Sequence, residues 1–511
     1  MSEKSILIIG AGVAGLSAGC YARMNGYDTQ IFEMHDKPGG LCTAWKRKGY
    51  TIDGCIHWLV GSGPGSDFHR FWQEVGAIQG RQILNMEQFM RFEDADSRTF
   101  TIYTDINRLE QHMKEISPED TGLIGEFISG IRAFMRFEMP SNKAPELYNL
   151  WDILKLTFKM LPHWRKLPKW VSISMQDFAD RFKNPLLREA LLSIWPPEFP
   201  TMFVMMTIAW MHMKTAGYPI GGSLPFVQAI EKRYLDLGGK ISYKSRATKI
   251  LVENNRAVGI KLADGTECYA DYIISAADGH TTIFEMLEGK YTNDKIYGYF
   301  DRLPTFTPLI FVGFGVNRSF DDFPKIISGI DFPLSKPITF AGTEYKRLSV
   351  RIHNFDTTLA PAGKTVITIM LPTNYDVWEK LNGDTNRYYA EKKQIVNILA
   401  DLLDKRFPGF KSQIEVQDVA TPITFHRYTG NWKGSFEGWM VTPKTWNLRM
   451  SKTLPGLDNF YMAGQWVEPG GGLPPSVMSG RNTIQIICKR DKNQFVTTVP
   501  DLPLTKVGNQ R

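Results

Sequence analysis

Cysteine is scarce in this chain. Five residues, Cys20, Cys42, Cys55, Cys268 and Cys488, are scattered through 511 positions, odd in number and with no Cys-x-x-Cys pair. Neither a disulfide framework nor a zinc site is indicated by that spacing. Long apolar runs are also missing. The longest, Met202 to Met213, falls short of the roughly 18 residues a membrane-spanning helix needs. No Lys/Arg block of nucleic-acid-binding type occurs, and the formal net charge of +7, from 60 basic and 53 acidic residues, is mild. Nucleic acid is therefore not an expected partner. Repeats and low-complexity tracts are absent, and Met-Ser-Glu-Lys leads directly into an apolar strand pattern with no signal-peptide signature. These absences point to a cytoplasmic protein, soluble or peripheral at the inner face of a membrane. The composition, 43% hydrophobic and 22% charged, is that of a globular chain, and its length exceeds what a single core serves.

What is present begins at Ser5. Ser5 to Ile9 reads as a buried strand, followed at once by Gly10, Gly12 and Gly15 in G-x-G-x-x-G order and then by a helical run. Gly10 permits the tight turn, Gly12 lets a pyrophosphate approach the backbone, and Gly15 lets the helix lie close to the strand. The helix N-terminus offers free N–H groups and a positive dipole end. A second strand ends at Glu33, a carboxylate placed to bind both ribose hydroxyls and to repel a 2′-phosphate, which favours FAD or NAD over NADP. Then comes Lys37-Pro-Gly-Gly-Leu41. Gly39 and Gly40 permit a second close approach, toward a cofactor that extends further than NAD, as FAD does with its isoalloxazine.

From residue 76 to 219 the chain is rich in Phe, Met, Trp and Leu at helical spacing. Leu147, Leu150, Trp151, Leu154, Phe158 and Leu161 form a stripe. Between Trp151 and Trp170 stand Lys155, Lys159, Arg165, Lys166 and Lys169 against the single acid Asp152. An apolar stripe beside lysines, with Trp164 and Trp170, fits a helix that dips into one leaflet of a membrane. It equally fits a helix packed on its own core. The cluster Met202, Met205, Met206, Met211 and Met213 reads first as adaptable core and second as the lining of a slot for a flexible apolar substrate. A helix from about Phe226 to Leu237 and alternating strands from Lys240 to Ser275, with Asn254-Asn255 and Asp264-Gly265 as hairpin signals, look like the first domain resuming. Residues 290 to 440 hold a second mixed segment. Ala463 to Gly480 reads as a strand end, a glycine loop and a helix from about Pro474, whose dipole would stabilise negative charge on a reduced flavin. The tail from Asp491 reads as loose.

Together these segments resemble the bacterial-type phytoene desaturase and retinol saturase family. The carriers are Gly10 to Gly19, Glu33, Lys37 to Leu41, Asp53-Gly-Cys-Ile-His57, Gly221 to Asp278 and Ala463 to Gly480. The resemblance implies an α/β fold: a Rossmann-like FAD-binding domain of an amine-oxidase-like two-domain flavoprotein, with an inserted α+β substrate domain. The FAD-binding domain would be discontinuous, over 1–75, 220–290 and 441–490. The substrate domain would take 76–219 and 291–440, with membrane-contact helices near 147–170, and 491–511 would be a tail. One non-covalent FAD is implied. Val13 and Ala14 would give backbone N–H groups to the pyrophosphate, and Glu33 would hold the ribose. Lys37, Gly39, Gly40 and Leu41 would pass near the cofactor, the Thr248 backbone would meet the adenine, and Gly464, Gly472 and Leu473 would border the pyrophosphate and ring. Leu41 stands where many members carry Arg, which removes a polar contact near the flavin.

The chemistry implied is redox at a carbon–carbon bond, desaturation or saturation, of a long apolar isoprenoid, carotenoid- or retinoid-like, or of another lipid. A separate electron donor or acceptor would complete the cycle. No second nucleotide motif is visible. His57 and Glu468 are the titratable groups expected near the ring as proton movers, although a histidine in such a loop is more often a hydrogen-bonded structural one. Three rivals remain: a flavin-dependent double-bond isomerase without net redox, a flavin amine oxidase, and a non-catalytic binder of apolar molecules.

Overall fold

The computed structural model describes residues 4–137, 141–161, 167–448 and 450–500. Its organising layer is a parallel sheet of five strands in the order Lys240–Ser242, Asp28–Phe32, Ser5–Ile9, Tyr272–Ser275 and Phe460–Met462. Strand Ser5–Ile9 is a continuous apolar run, not an alternating one, because both of its faces are covered. Ile6 and Ile8 pack under helices Val13–Met24, Ser223–Asp236 and Leu473–Arg490. Leu7 and Ile9 join Ile273, Phe460, Trp439 and Trp466 on the other face.

Beside this sheet runs an antiparallel meander, Ala247–Glu253, Arg256–Leu262 and Glu267–Tyr269. Asn254 and Asn255 both have positive φ (48° and 59°), the geometry of a two-residue hairpin turn. The single strand expected from Tyr269 to Ser275 is split. The Asp271 carboxylate accepts from the Ser5 N–H (2.9 Å) and hydroxyl, and there the chain leaves the meander for the parallel sheet.

A second sheet has seven strands, ordered Ile414–Ala420, Leu309–Val316, Thr365–Pro372, Thr343–Ile352, Ile330–Phe340, Gln88–Glu93 and Thr99–Tyr103. All its pairings are antiparallel except that of Ile330–Phe340 with Gln88–Glu93. The second strand in this order, Leu309–Val316, is buried throughout. The hairpin Ala44–Arg47/Tyr50–Asp53 lies across it: side chains at Gly313 and Gly315 would collide with Ile52 and Tyr50 at 2.8 and 2.6 Å. The hairpin's exit, Gly54 to His57, then meets the start of helix Ser223–Asp236, where Ile56 N–H donates to Ser223 Oγ at 2.9 Å.

The methionines of helix Thr201–His212 are core: Met205, Met206 and Met211 are buried, and Met205 sits against Gly130. Helix Leu150–Met160 is the opposite case. It starts at a capping box of Asn149 and Asp152, yet buries none of its residues. Leu150 is 84% exposed, Trp151 71% and Phe158 63%. Trp170, read with this stripe, belongs instead to the core, edge-on to Phe178 at 5.4 Å. Trp164, Arg165 and Lys166 lie outside the described residues. Among the described residues no helix is long and apolar enough to cross a membrane.

The tail is not loose up to Thr498. Asp491 accepts from Lys4, Tyr272 and Tyr27, the Thr497 hydroxyl donates to Glu74, and Arg233 donates to Thr498. The sequence signal, polar residues with spaced prolines, does not reveal these partners, which come from distant segments.

Candidate active site

In a parallel sheet the loops after the strand C-termini form the ligand crevice. Here those loops are the glycine segments. Gly10 (φ 96°) turns the chain, and its N–H donates to Phe32 O at 2.8 Å. A Cβ at Gly15 would stand 2.0 Å from Gly10 O, so only glycine lets helix and strand approach this closely. Gly12 bridges to Gly39, and a Cβ at Gly40 would stand 3.6 Å from the Gly12 Cα. Gly464 (φ 105°) faces Ala14, with 3.5 Å to the Ala14 Cβ. Three glycine loops, far apart in the chain, thus converge on the N-terminus of helix Val13–Met24. No side chain caps that terminus, which leaves the N–H groups of Val13 and Ala14 available to an anion.

Glu33 is buried beside this crevice. Its Oε2 accepts from the Ala11 N–H (2.7 Å) and its Oε1 from the His35 N–H (2.8 Å). Each oxygen keeps acceptor capacity for a ribose hydroxyl. The backbone after strand Lys240–Ser242 closes over it: Ser245 N–H donates to Glu33 O. Thr248 follows in the meander, where Ala247 packs in one cluster with Phe32. Lys37 and Leu41 are half-buried at the two ends of the Gly39–Gly40 turn. Gly472 (φ 79°) is the N-cap of helix Leu473–Arg490 and again offers no side-chain cap. That helix crosses the first one closely, with Ser17 Oγ donating to Val477 O at 2.7 Å.

His57 lies on the hairpin exit, its ring 6.1 Å from that of Trp58. Asp53 anchors this exit by accepting from Ser223 N–H and Oγ and from Cys55 N–H. That anchor also starts the helix at Ser223, three residues earlier than its apolar pattern indicates. The buried Arg351 guanidinium donates to Ile56 O and His57 O, both at 3.2 Å. Burial, with Arg351 nearby, holds the His57 imidazole well below its ordinary pKa, so the ring is neutral at neutral pH. Glu468 is engaged elsewhere. Lys452, 2% exposed, donates to Glu468 at 2.5 Å and to Glu146 at 3.0 Å.

One titratable group at this site left no mark in the sequence. Glu437 retains some accessible surface, yet it lies deep enough that burial pushes its carboxyl up to about 7. A Cβ at Gly471 would stand 2.5 Å from Glu437 Oε2 and 3.0 Å from the Phe306 ring. From there an aromatic chain leads to the other side of the site. Phe436 meets Phe306 (5.4 Å), Phe306 meets Phe199 (5.4 Å), Phe199 stacks on Trp195 (5.2 Å), and Trp195 meets Trp58 edge-on (6.0 Å), next to His57.

A Rossmann-like sheet with three converging glycine loops, a buried ribose-binding acid and an uncapped second helix terminus defines a dinucleotide-binding flavoprotein. The comparisons agree. The family model for flavin containing amine oxidoreductase matches residues 13–488, and the chain belongs to that family of FAD-dependent oxidoreductases. It is 25% identical over 499 residues to the chloroplastic prolycopene isomerase of Daucus carota, covering 94% of this chain and 79% of that one. It is 24% identical over 508 residues to the lycopene-forming phytoene desaturase of Pseudescherichia vulneris, covering 95% and 99%. An oxidoreductase structure from Methanosarcina mazei matches with a TM-score of 0.59 at 18% identity, over 94% of this chain and 100% of that one. Putrescine oxidase bound to putrescine matches with a TM-score of 0.57 at 11% identity, over 96% and 99%. These two likenesses are of fold. The cofactor is FAD, and the uncapped helix termini and glycine cradles fit it.

Proposed function

We propose that this protein oxidises or reduces carbon–carbon bonds of a long apolar isoprenoid, carotenoid-like in its chemistry. The observation that carries the reading is the aromatic chain from Trp58 to Phe436, which runs from the His57 loop to the turn beside Gly471 of the flavin loop. Its accessible rings, Trp58, Trp195 and Phe436, suit an unsaturated hydrocarbon chain, and Phe199 and Phe306 are buried between them. The relatives named phytoene desaturase and prolycopene isomerase support the same substrate class. In this reading the first sheet carries FAD and the second sheet with its helices holds the substrate. His57, neutral, orients it. Glu468 secures the flavin loop through Lys452 in place of moving a proton.

Helix Leu150–Met160 would meet the substrate's source. Its bare apolar face and its exposed Lys155 and Lys159 suit the surface of an anionic bilayer.

The test is the visible spectrum of the purified protein, recorded again after anaerobic addition of a host lipid extract. Bleaching of the flavin band supports desaturation and allows the substrate to be fractionated. Turnover that alters retention time but leaves product mass unchanged supports the isomerase reading, which the Daucus carota relative favours. A protein that takes up no flavin on reconstitution with FAD overturns the proposal.

A further inference from the structure

Glu437 occupies a built position. Ser435 Oγ and Gly438 hydrogen-bond across the turn that carries it, at 3.2 Å in both directions. Gly438 O accepts from Phe306 N–H at 3.0 Å, and Met440 N–H donates to Pro304 O at 2.8 Å. Gly438 (φ 71°) lies against Gln465 of the flavin loop, where a Cβ would stand 3.1 Å from Gln465 Cγ. Upstream, the buried Asp278 at the end of strand Tyr272–Ser275 accepts from Trp432 N–H at 2.9 Å. The turn is thus fastened to the sheet edge, to the Phe306 segment and to the flavin loop. The carboxylate itself rests on Gly471, and its polar neighbour is the N–H of Gly472, the N-cap residue of helix Leu473–Arg490.

We propose that Glu437 is the carboxyl that exchanges the proton with the substrate carbon next to the one that exchanges hydride with the flavin. In the desaturating direction one C–H bond releases hydride to FAD, the oxidant. The adjacent C–H bond releases its proton to the Glu437 carboxylate, and that bond's electron pair becomes the new double bond. The saturating direction runs in reverse, with the carboxylic acid as donor. The inference rests on the carbon–carbon redox reading, and it assigns a residue that neither the sequence motifs nor the family match singles out.

The charged groups around Glu437 do not compete for this role. Glu468, on the flavin loop, is paired with Lys452. Lys433 is exposed over the Trp432 ring at 4.9 Å. His57 lies at the far end of the aromatic chain and is neutral. Burial is the dominant influence on Glu437, and no charged side chain contributes to its shift. A carboxyl balanced near neutrality can accept or donate at the pH of the cell.

The experiment uses FAD-reconstituted holoenzyme without substrate. The visible flavin spectrum is titrated from acid to alkaline pH, and proton uptake on photoreduction is measured with an indicator dye. The wild type is expected to show a spectral transition near pH 7. Above that pH it is expected to take up as much as one proton more on reduction than Glu437→Gln, because a reduced flavin draws a proton onto an adjacent carboxylate. Glu437→Gln should show neither effect, and Glu437→Asp should keep both with a displaced midpoint. If Glu437→Gln retains the transition and the extra proton, the proposal is overturned. That result is separate from failure of the substrate reading, which appears only as a flavin that no lipid fraction bleaches.

Discussion

Glu437 has a consequence for stability as well as for chemistry. Its carboxyl is raised from an ordinary 4.5 to about 7 in the folded protein, so folding favours its protonated form. That contribution is complete below pH 4.5 and is lost as the pH rises through 7. Relative to wild type, Glu437→Gln without FAD should therefore gain stability as the pH rises from 4.5 to 7 and hold the gain above. The expected size is about 2 kcal/mol, below the full value of the shift because the side chain keeps some contact with solvent. Thermal melts at pH 5 and pH 8 would measure it, and an equal difference at both would count against the assignment. Lys452 gives the complementary case. Lys452→Met leaves two carboxylates facing each other without their cation. The expected cost is about 2–3 kcal/mol, together with weaker FAD binding, since Glu468 belongs to the flavin loop; chemical denaturation and FAD titration would read the two. Neither residue was legible in the sequence. A lone Glu between Phe436 and Gly438, or a Lys between Ser451 and Thr453, carries no pattern of its own. Their roles come from Gly471, Phe306 and Glu146, which only folding brings near. Gly10, Gly15 and Glu33 were legible for the opposite reason: a backbone that cannot tolerate Cβ, beside a strand and a helix, writes its requirement into consecutive residues.

At the scale of the element, helix Leu150–Met160 shows what periodicity can and cannot convey. The stripe of Leu150, Trp151, Leu154 and Phe158 predicts an amphipathic helix, and the helix is there. The same stripe cannot say what lies opposite, because a core and a bilayer both reward apolar side chains at this spacing. Folding leaves the face bare while taking Trp170 inside. Replacing Leu150, Trp151 and Phe158 together with Ser should thus cost little, within about 0.5 kcal/mol per site as for other exposed positions. It should also abolish co-sedimentation with anionic liposomes, and a large loss of stability would mean that the face is buried in solution. The methionines of Thr201–His212 resolve the other way, as packing around Gly130.

For the whole molecule, the governing fact is that the FAD crevice is assembled from distant segments. Gly10 to Gly15, Gly39-Gly40, Ser245 to Thr248 and Gly464 to Leu473 meet only when the five-stranded sheet is complete. A ligand that touches all of them stabilises them as a unit. FAD at about a thousand times its Kd should contribute about 4 kcal/mol. In calorimetry this should move one cooperative transition upward, and a second transition that ignores FAD would show that the two sheets melt independently. The family resemblance was legible from both ends of the chain because the crevice uses both ends, and the family match over residues 13–488 bears it out. The seven-stranded sheet was legible only as scattered β-branched runs, since its one parallel pairing joins Gln88–Glu93 to Ile330–Phe340 across more than half of the sequence between the glycine motifs.

The strand Phe460–Met462 and the helix Leu473–Arg490 that follows it complete the crevice. On the ribosome, these are among the last described elements to emerge. Until then Ile273 and Ile274 wait with one sheet edge unpaired, and the glycine turn lacks the approach of Gly464 to Ala14. A stop codon between Glu33 and Phe460 would yield a chain that keeps its opening nucleotide motif and lacks the strand and helix that complete the crevice.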